Sequence, residues 1–180
     1  EAAGLPRTAM RGLMIGAFLH DVGKIGIRDQ ILLKPGKLTE EEFAIMRGHV
    51  ALGVDIVAQS DWLAPAREVS EFHHEKDDGS GSLHGLQGEA IPLNARLFAI
   101  VDVFDALTAR RPYKEPFPLE TALAMIEQES GHHFDPALAA TFLGIARELY
   151  GTIGQADEAT LADLMRRQAE RYSPLGPAPA

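Results

Sequence analysis

The pair His20-Asp21 closes an apolar run, Leu13-Met14-Ile15-Gly16-Ala17-Phe18-Leu19, and no other feature constrains this chain as strongly. His49, the pair His73-His74 and Asp102 follow, most of them embedded in apolar, helix-like sequence. An imidazole or carboxylate is costly to bury in such surroundings unless it is paired or bound to a metal ion. Each imidazole binds one cation, whereas a carboxylate has two oxygens and can bridge two. His20, Asp21, His49, His73, His74 and Asp102 together point to a site holding more than one metal ion.

Composition narrows the frame. The chain has 180 residues, 46% of them hydrophobic, enough for one domain with a real core. Only 7% are aromatic, and Ala and Leu are abundant, which favours helix over sheet. There is no cysteine, so any metal is held by histidine and carboxylate rather than thiolate. That absence does not fix the compartment. A net charge of −9 argues against binding long nucleic acid. It leaves room for a small anionic ligand, because bound cations would dominate the local field. No apolar run is long enough to span a bilayer, and no signal peptide is visible.

The pattern reads as helices separated by turns, with no strand or repeat. Thr8 to His20 is apolar on most sides, as a buried helix would be. Gly23, Gly26, Pro35 and Gly36 mark an irregular loop. Thr39 and Glu42 form a capping box that opens a helix carrying Phe43, Met46, Val50, Val54 and Val57 on one face, with His49 beside that stripe. A helix with Pro65 in its first turn is expected to end near His73-His74. Residues Asp77 to Gly88 are glycine-rich and aperiodic, a long loop. Pro92 opens a strongly apolar helix bearing Asp102 and Asp105. Pro118 to Ser130 and Pro136 to Tyr150 are two further amphipathic helices, Asp157 to Tyr172 is a more polar one, and Ser173 to Ala180 is expected to be a disordered Pro/Ala tail.

Each piece also has a plain reading. His20-Asp21 alone fits a satisfied core histidine followed by a capping aspartate. His73-His74 alone fits a surface pair or a tautomer-locked hydrogen-bonded pair, and His132-His133 a turn whose histidines bond backbone. Asp102 is harder to dismiss, since it lies within Leu97-Phe98-Ala99-Ile100-Val101-Asp102-Val103-Phe104-Asp105-Ala106-Leu107. Asp105 shares a face with it, and a salt bridge from Asp105 to Lys24 is one structural role open to it. The methionines are read as core filling.

Taken in order, the motifs resemble one family. His20-Asp21-Val22-Gly23-Lys24-Ile25-Gly26-Ile27, then Leu33-Lys34-Pro35-Gly36-Lys37-Leu38, then His49, are similar to the HD-GYP branch of the HD phosphohydrolases. His73-His74-Glu75-Lys76, Asp78-Gly79-Ser80-Gly81, Gly85-Leu86, Ile91-Pro92 and Asp102-Val103-Phe104-Asp105-Ala106-Leu107-Thr108 continue the resemblance. So do Arg111-Pro112-Tyr113-Lys114 and His133-Phe134-Asp135-Pro136.

The resemblance implies an all-α fold, a single helical HD-type domain of about six to seven helices around a multinuclear metal site. Residues 1–150 would form that domain with its N-terminal helix truncated, 151–172 a C-terminal helix and 173–180 the tail. It implies a cytoplasmic enzyme hydrolysing cyclic di-GMP, a bacterial second messenger, to pGpG or GMP with two or three Fe or Mn ions. His20, Asp21, His49, His73, His74 and Asp102 match the metal ligands, Asp21 as the bridging one. Lys24 matches a lysine that touches a phosphate or protonates a leaving oxygen, so Asp21 and Lys24 are the catalytic candidates. Arg111 and Lys114, with Gly79 and Gly81 of the loop, are the substrate-binding candidates. GGDEF-domain proteins are implied partners. Hard, imidazole- and oxygen-rich ligation suits Fe or Mn better than a structural zinc site.

Two departures stand out. The family's Gly-Tyr-Pro tripeptide is Gly81-Ser82-Leu83 here, and an aromatic usual before Asp78 is replaced by Asp77. Loss of the stiff proline and stacking tyrosine predicts a more flexible loop, with altered affinity, base selectivity or partner docking. Relatives also take a ligand from a helix upstream of the His-Asp pair, beyond where this sequence begins. A catalytically silent nucleotide-binding or protein-interaction module, or a hydrolase of another cyclic dinucleotide, is the alternative to the cyclic di-GMP phosphodiesterase.

Overall fold

A computed structural model describes residues 4–110, 115–154 and 156–172. Arg7–Leu19 forms α1, entered from Pro6 in extended conformation, and its buried face carries Gly12, Ile15 and Gly16. The chain then turns through His20 and Asp21 into a tight 3-10 turn, Val22–Gly26, and a short α2, Asp29–Leu32.

The capping box forms as the sequence predicts. Thr39 accepts from the Glu42 backbone N–H at 3.3 Å, and the Glu42 carboxylate accepts from the Thr39 N–H at 2.8 Å. These bonds satisfy donors left free at the start of α3, Glu40–Arg47. The expected single helix through Val57 is instead two. It breaks at Gly48, and α4 restarts over His49–Ala58. Glycine has the weakest helix propensity after proline, and Gly48 sits at φ −60, ψ −17, short of regular α geometry. The break puts His49 in the first turn of α4 rather than in mid-helix.

A 3-10 turn, Ala64–Ala66, holds Pro65 and leads into α5, Arg67–Phe72, which ends at His73. After the glycine-rich loop, α6 runs over Leu93–Thr108 behind Pro92. Then come α7, Leu119–Gln128, α8, Pro136–Gly154, and α9, Glu158–Tyr172. Among the described residues β pairing is limited to an isolated bridge between Ser130 and Phe134. None of the described helices is long and apolar enough to cross a membrane.

Two apolar clusters flank the central helix. On one side Ala99, Ile100 and Leu107 of α6 pack with Ala122 and Ile126 of α7, Phe134, and Ala139 of α8. On the other, Ile15 of α1 meets Val57 of α4 and Ala66, with Leu19, Val22 and Leu63 around them. The 3-10 turn after His20-Asp21 packs closely on α4 because Gly23 lacks a side chain. A Cβ there would stand 1.9 Å from the His49 carbonyl oxygen and 2.4 Å from the Gly53 nitrogen. That contact brings Asp21 and His49 to one place.

Candidate metal centre

Four chain segments converge on the site. The end of α1 brings His20 and Asp21, the start of α4 brings His49, the end of α5 brings His73 and His74, and the middle of α6 brings Asp102. His49 and His73 are buried, at 3% and 5% exposure.

Three of the imidazoles are anchored in the same way. The Nδ1 of His20 lies 2.9 Å from the Ala17 carbonyl, that of His49 2.7 Å from the Met46 carbonyl, and that of His73 3.0 Å from the Val69 carbonyl. A carbonyl only accepts, so Nδ1 carries a proton in each; in His49 and His73 this leaves Nε2 as the lone-pair nitrogen, whereas His20 Nε2 faces the Asp21 carboxylate. Metal-binding histidines are oriented by this kind of partner on the other ring nitrogen. The buried Nε2 atoms of His49 and His73 have no hydrogen-bond partner. A buried, unpartnered acceptor costs free energy, and a metal ion would relieve it.

Asp21 joins two groups of ligand atoms. Its Oδ2 lies 3.2 Å from His20 Nε2, and its Oδ1 lies 3.4 Å from His49 Nε2. His20 Nε2 also stands 4.0 Å from Asp102 Oδ1. On the other side, ligand atoms of His49, His73 and His74 lie within 4.8 Å of one another. Two ligands each about 2.1 Å from one ion stand roughly 3 Å apart at a right angle. The separations across Asp21 are close to that, so this donor set fits divalent cations. With imidazoles and carboxylates alone, the set is hard to borderline in character.

The electrostatics follow from the packing. Burial, with neighbouring His74 and His20, lowers His73 to about 3. Burial and His49 lower His74 to about 4, although part of that residue still meets solvent. Both are therefore neutral near pH 7, the form that binds metal. Burial disfavours charge on Asp21, but hydrogen bonds from His20 and Lys24 outweigh it and hold the carboxyl well below its usual range. Burial likewise opposes protonation of His20, yet Asp21, the Ala17 carbonyl and Asp102 raise it above its usual value. Burial raises Asp102 in turn, reinforced by Asp21 and partly offset by His20. The carboxylates thus create a local demand for positive charge at His20 Nε2.

Lys24 donates to Asp21 Oδ2 at 2.6 Å. Its partner is therefore Asp21 and not Asp105, for which an ion pair was one expected role. Asp105 is exposed and turned toward an apolar groove between α6 and α8. The arrangement differs at His132-His133 too. It is their backbone carbonyls that accept, from Asp78 at 2.9 Å and Asp77 at 3.2 Å, while the His133 ring stacks on Phe134 at 4.4 Å. Gly79 and Gly81 lie in the loop that those bonds hold. Arg111 and Lys114 lie outside the described residues.

Sequence reasoning overlooked Phe98. Its buried ring packs 4.6 Å from His20 and 6.3 Å from His73, one helical turn before Asp102. That spacing on α6 was the available signal. Glu75 was also passed over, as no more than a neighbour of the histidine pair.

Comparison with known proteins agrees with this architecture. The HD domain family matches residues 1–138. A cyclic di-GMP phosphodiesterase of Vibrio cholerae is 52% identical over 134 residues, which is 71% of this chain and 27% of that protein. A 3'3'-cGAMP-specific phosphodiesterase of the same organism is 48% identical over 127 residues, 69% of this chain and 24% of that protein. The chain thus spans about a quarter of the length of each relative. The crystal structure of a cyclic GMP-AMP-specific phosphodiesterase from Vibrio cholerae superposes with a TM-score of 0.62 at 22% identity, covering 98% of this chain and 45% of that one. With the HD domain family matched over more than half of the chain and relatives of this kind at about half identity, the chain belongs to the HD domain family, in its HD-GYP branch.

Proposed function

We propose that this chain is the hydrolytic unit of a metal-dependent cyclic dinucleotide phosphodiesterase, with cyclic di-GMP as substrate and pGpG or GMP as product. The observation that carries the reading is Asp21, whose two oxygens face His20 on one side and His49 on the other. That arrangement supports two adjacent cations, one with His20 and Asp102 and one with His49, His73 and His74, with Asp21 between them. Iron or manganese suits the donors. Divalent ions bound there would supply Lewis-acid charge that neutralises a phosphodiester and acidifies water.

The chain's own groups do the rest. Asp21 holds Lys24 beside the ligand atoms, with 38% of the lysine side chain open to solvent. From there its ammonium can meet a phosphate oxygen and give a proton to the departing 3'-oxygen as water adds to phosphorus and the P–O bond breaks. Arg111 and Lys114 are proposed to meet the second phosphate, and Gly79 and Gly81 to border the ligand. A second-messenger substrate places the reaction in the cytoplasm, where GGDEF-domain proteins are the partners implied.

A specific observation favours a second reading within this class. The relative named for 3'3'-cGAMP is nearly as similar as the one named for cyclic di-GMP, and the loop reads Gly81-Ser82-Leu83. The test is to load the protein with Mn or anaerobic Fe(II), offer each dinucleotide and separate the products by chromatography. Cyclic di-GMP is expected to be opened by the wild type and not by Asp21→Ala. Cleavage of 3'3'-cGAMP alone selects the second reading. A metal-loaded protein that cleaves neither excludes both and leaves a binding module.

A further inference from the structure

Glu75 follows directly on His73-His74 and is buried to 2% exposure. Among the described residues it has no cationic partner. Its carboxylate instead accepts from the backbone N–H of His84 at 2.9 Å and of Leu86 at 2.8 Å. A carboxylate withdrawn from water needs such donors, and charge-assisted bonds of this kind are stronger than neutral ones. Both donors belong to the glycine-rich loop, so one buried side chain grips that loop at two points.

The same stretch carries backbone strain. Leu83, between Ser82 and the first gripped residue, has φ +114, a region L side chains rarely adopt. Such a residue persists only where its surroundings over-determine it. Proline cannot adopt this angle, since its ring locks φ near −65°. The exchange of Gly-Tyr-Pro for Gly81-Ser82-Leu83 therefore goes with a loop shape that proline would forbid. Further bonds tie the stretch to the histidine turn: the Ser82 N–H donates to the His74 carbonyl at 3.2 Å. Gly81 lies so close that a Cβ would stand 2.5 Å from the Lys76 nitrogen and 2.6 Å from the Glu75 Cα. The flexible loop expected from losing proline is, in the structure, a loop fastened by Glu75.

We propose that Glu75 is a positioning residue for the substrate: it fixes the Gly79-to-Gly88 loop, with Leu83 exposed on it, against the turn that presents His73 and His74. The rim that meets the dinucleotide is then set by the element that carries the metal-type histidines. This rests on the phosphodiesterase reading above.

The test compares the wild type with Glu75→Ala and Glu75→Gln in the full metal-loaded chain. Glu75→Gln keeps the shape and one acceptor oxygen, so it remains informative if the alanine variant folds poorly. Amide hydrogen exchange at His84 and Leu86 is expected to quicken about tenfold or more in Glu75→Ala and less in Glu75→Gln. Bound metal per chain should stay the same. KM for the cyclic dinucleotide should rise about tenfold while kcat stays within about twofold. Unchanged loop exchange overturns the proposal. So does loss of metal, which would assign Glu75 to the histidines, or a fall in kcat at constant KM. Exchange and metal content need no turnover. If the wild type neither binds nor cleaves a cyclic dinucleotide, the functional reading fails and takes the substrate role with it, whereas the exchange data alone decide whether Glu75 holds the loop.

Discussion

At the scale of single residues, the site is built by repeating one device. His20, His49 and His73 each give their Nδ1 proton to a helix carbonyl about one turn back, which aims Nε2 into a shared space. The six candidate ligands were legible in the sequence because charged or imidazole groups are conspicuous against apolar neighbours. The pairing of Lys24 with Asp21 was not, since Asp21 and Asp105 are equally carboxylates until the fold sets distances. Phe98 was hard to single out for the opposite reason: only its spacing one turn before Asp102 marks it among the phenylalanines of an apolar helix. His73 gives a pH prediction. In the unfolded chain a histidine titrates near about 6.5, and in the fold burial lowers His73 to about 3. Between those values the unfolded state holds the extra proton, so stability falls as pH falls through that window. In chelator, urea unfolding of the wild type should lose up to about 2 kcal/mol more between pH 7 and pH 5 than that of His73→Gln. Equal losses in the two proteins would mean that His73 is not buried in its neutral form.

At the scale of elements, the helix starts were well marked. The Thr39 to Glu42 box and the prolines ahead of α6 and α7 place three of them. The break at Gly48 was missed because an apolar stripe runs through it, and hydrophobic periodicity does not register a one-residue change in backbone angle. That break matters, because it places His49 where its Nδ1 can reach across to Met46. The contact between the Gly23 turn and α4 was equally hidden, since glycine in a loop reads as turn punctuation rather than as close packing. Gly23→Ala should therefore act on two elements at once. Overpacking of this kind costs about 1–3 kcal/mol, and displacing the turn also separates Asp21 from His49. Denaturation should show that loss, and metal titration should show weakened binding. Normal metal affinity with a normal unfolding midpoint would contradict the close approach.

For the molecule as a whole, composition pointed correctly to an all-α fold, and the order of motifs pointed to the family. Neither told which helix faces would meet, because that depends on small residues such as Gly12 and Gly16 on α1 and on the partition of the core around α6. The proposed metal centre draws on α1, α4, α5 and α6, so metal binding there would be coupled to folding. Free metal at about a hundred times its dissociation constant adds roughly 2.7 kcal/mol of stability. For a chain of this size that is a rise of about 5–10 °C in Tm. Calorimetry before and after chelation should show that shift, and no shift would mean that the histidine cluster binds no ion in the fold.

The central claim is that Asp21 joins two cation subsites into one centre. Metal per chain, counted by elemental mass spectrometry on protein loaded with Mn or anaerobic Fe(II), tests it most directly. The account predicts at least two ions in the wild type and no more than one in Asp21→Ala. A wild type that holds a single ion, or an Asp21→Ala protein that keeps its full complement, would contradict it.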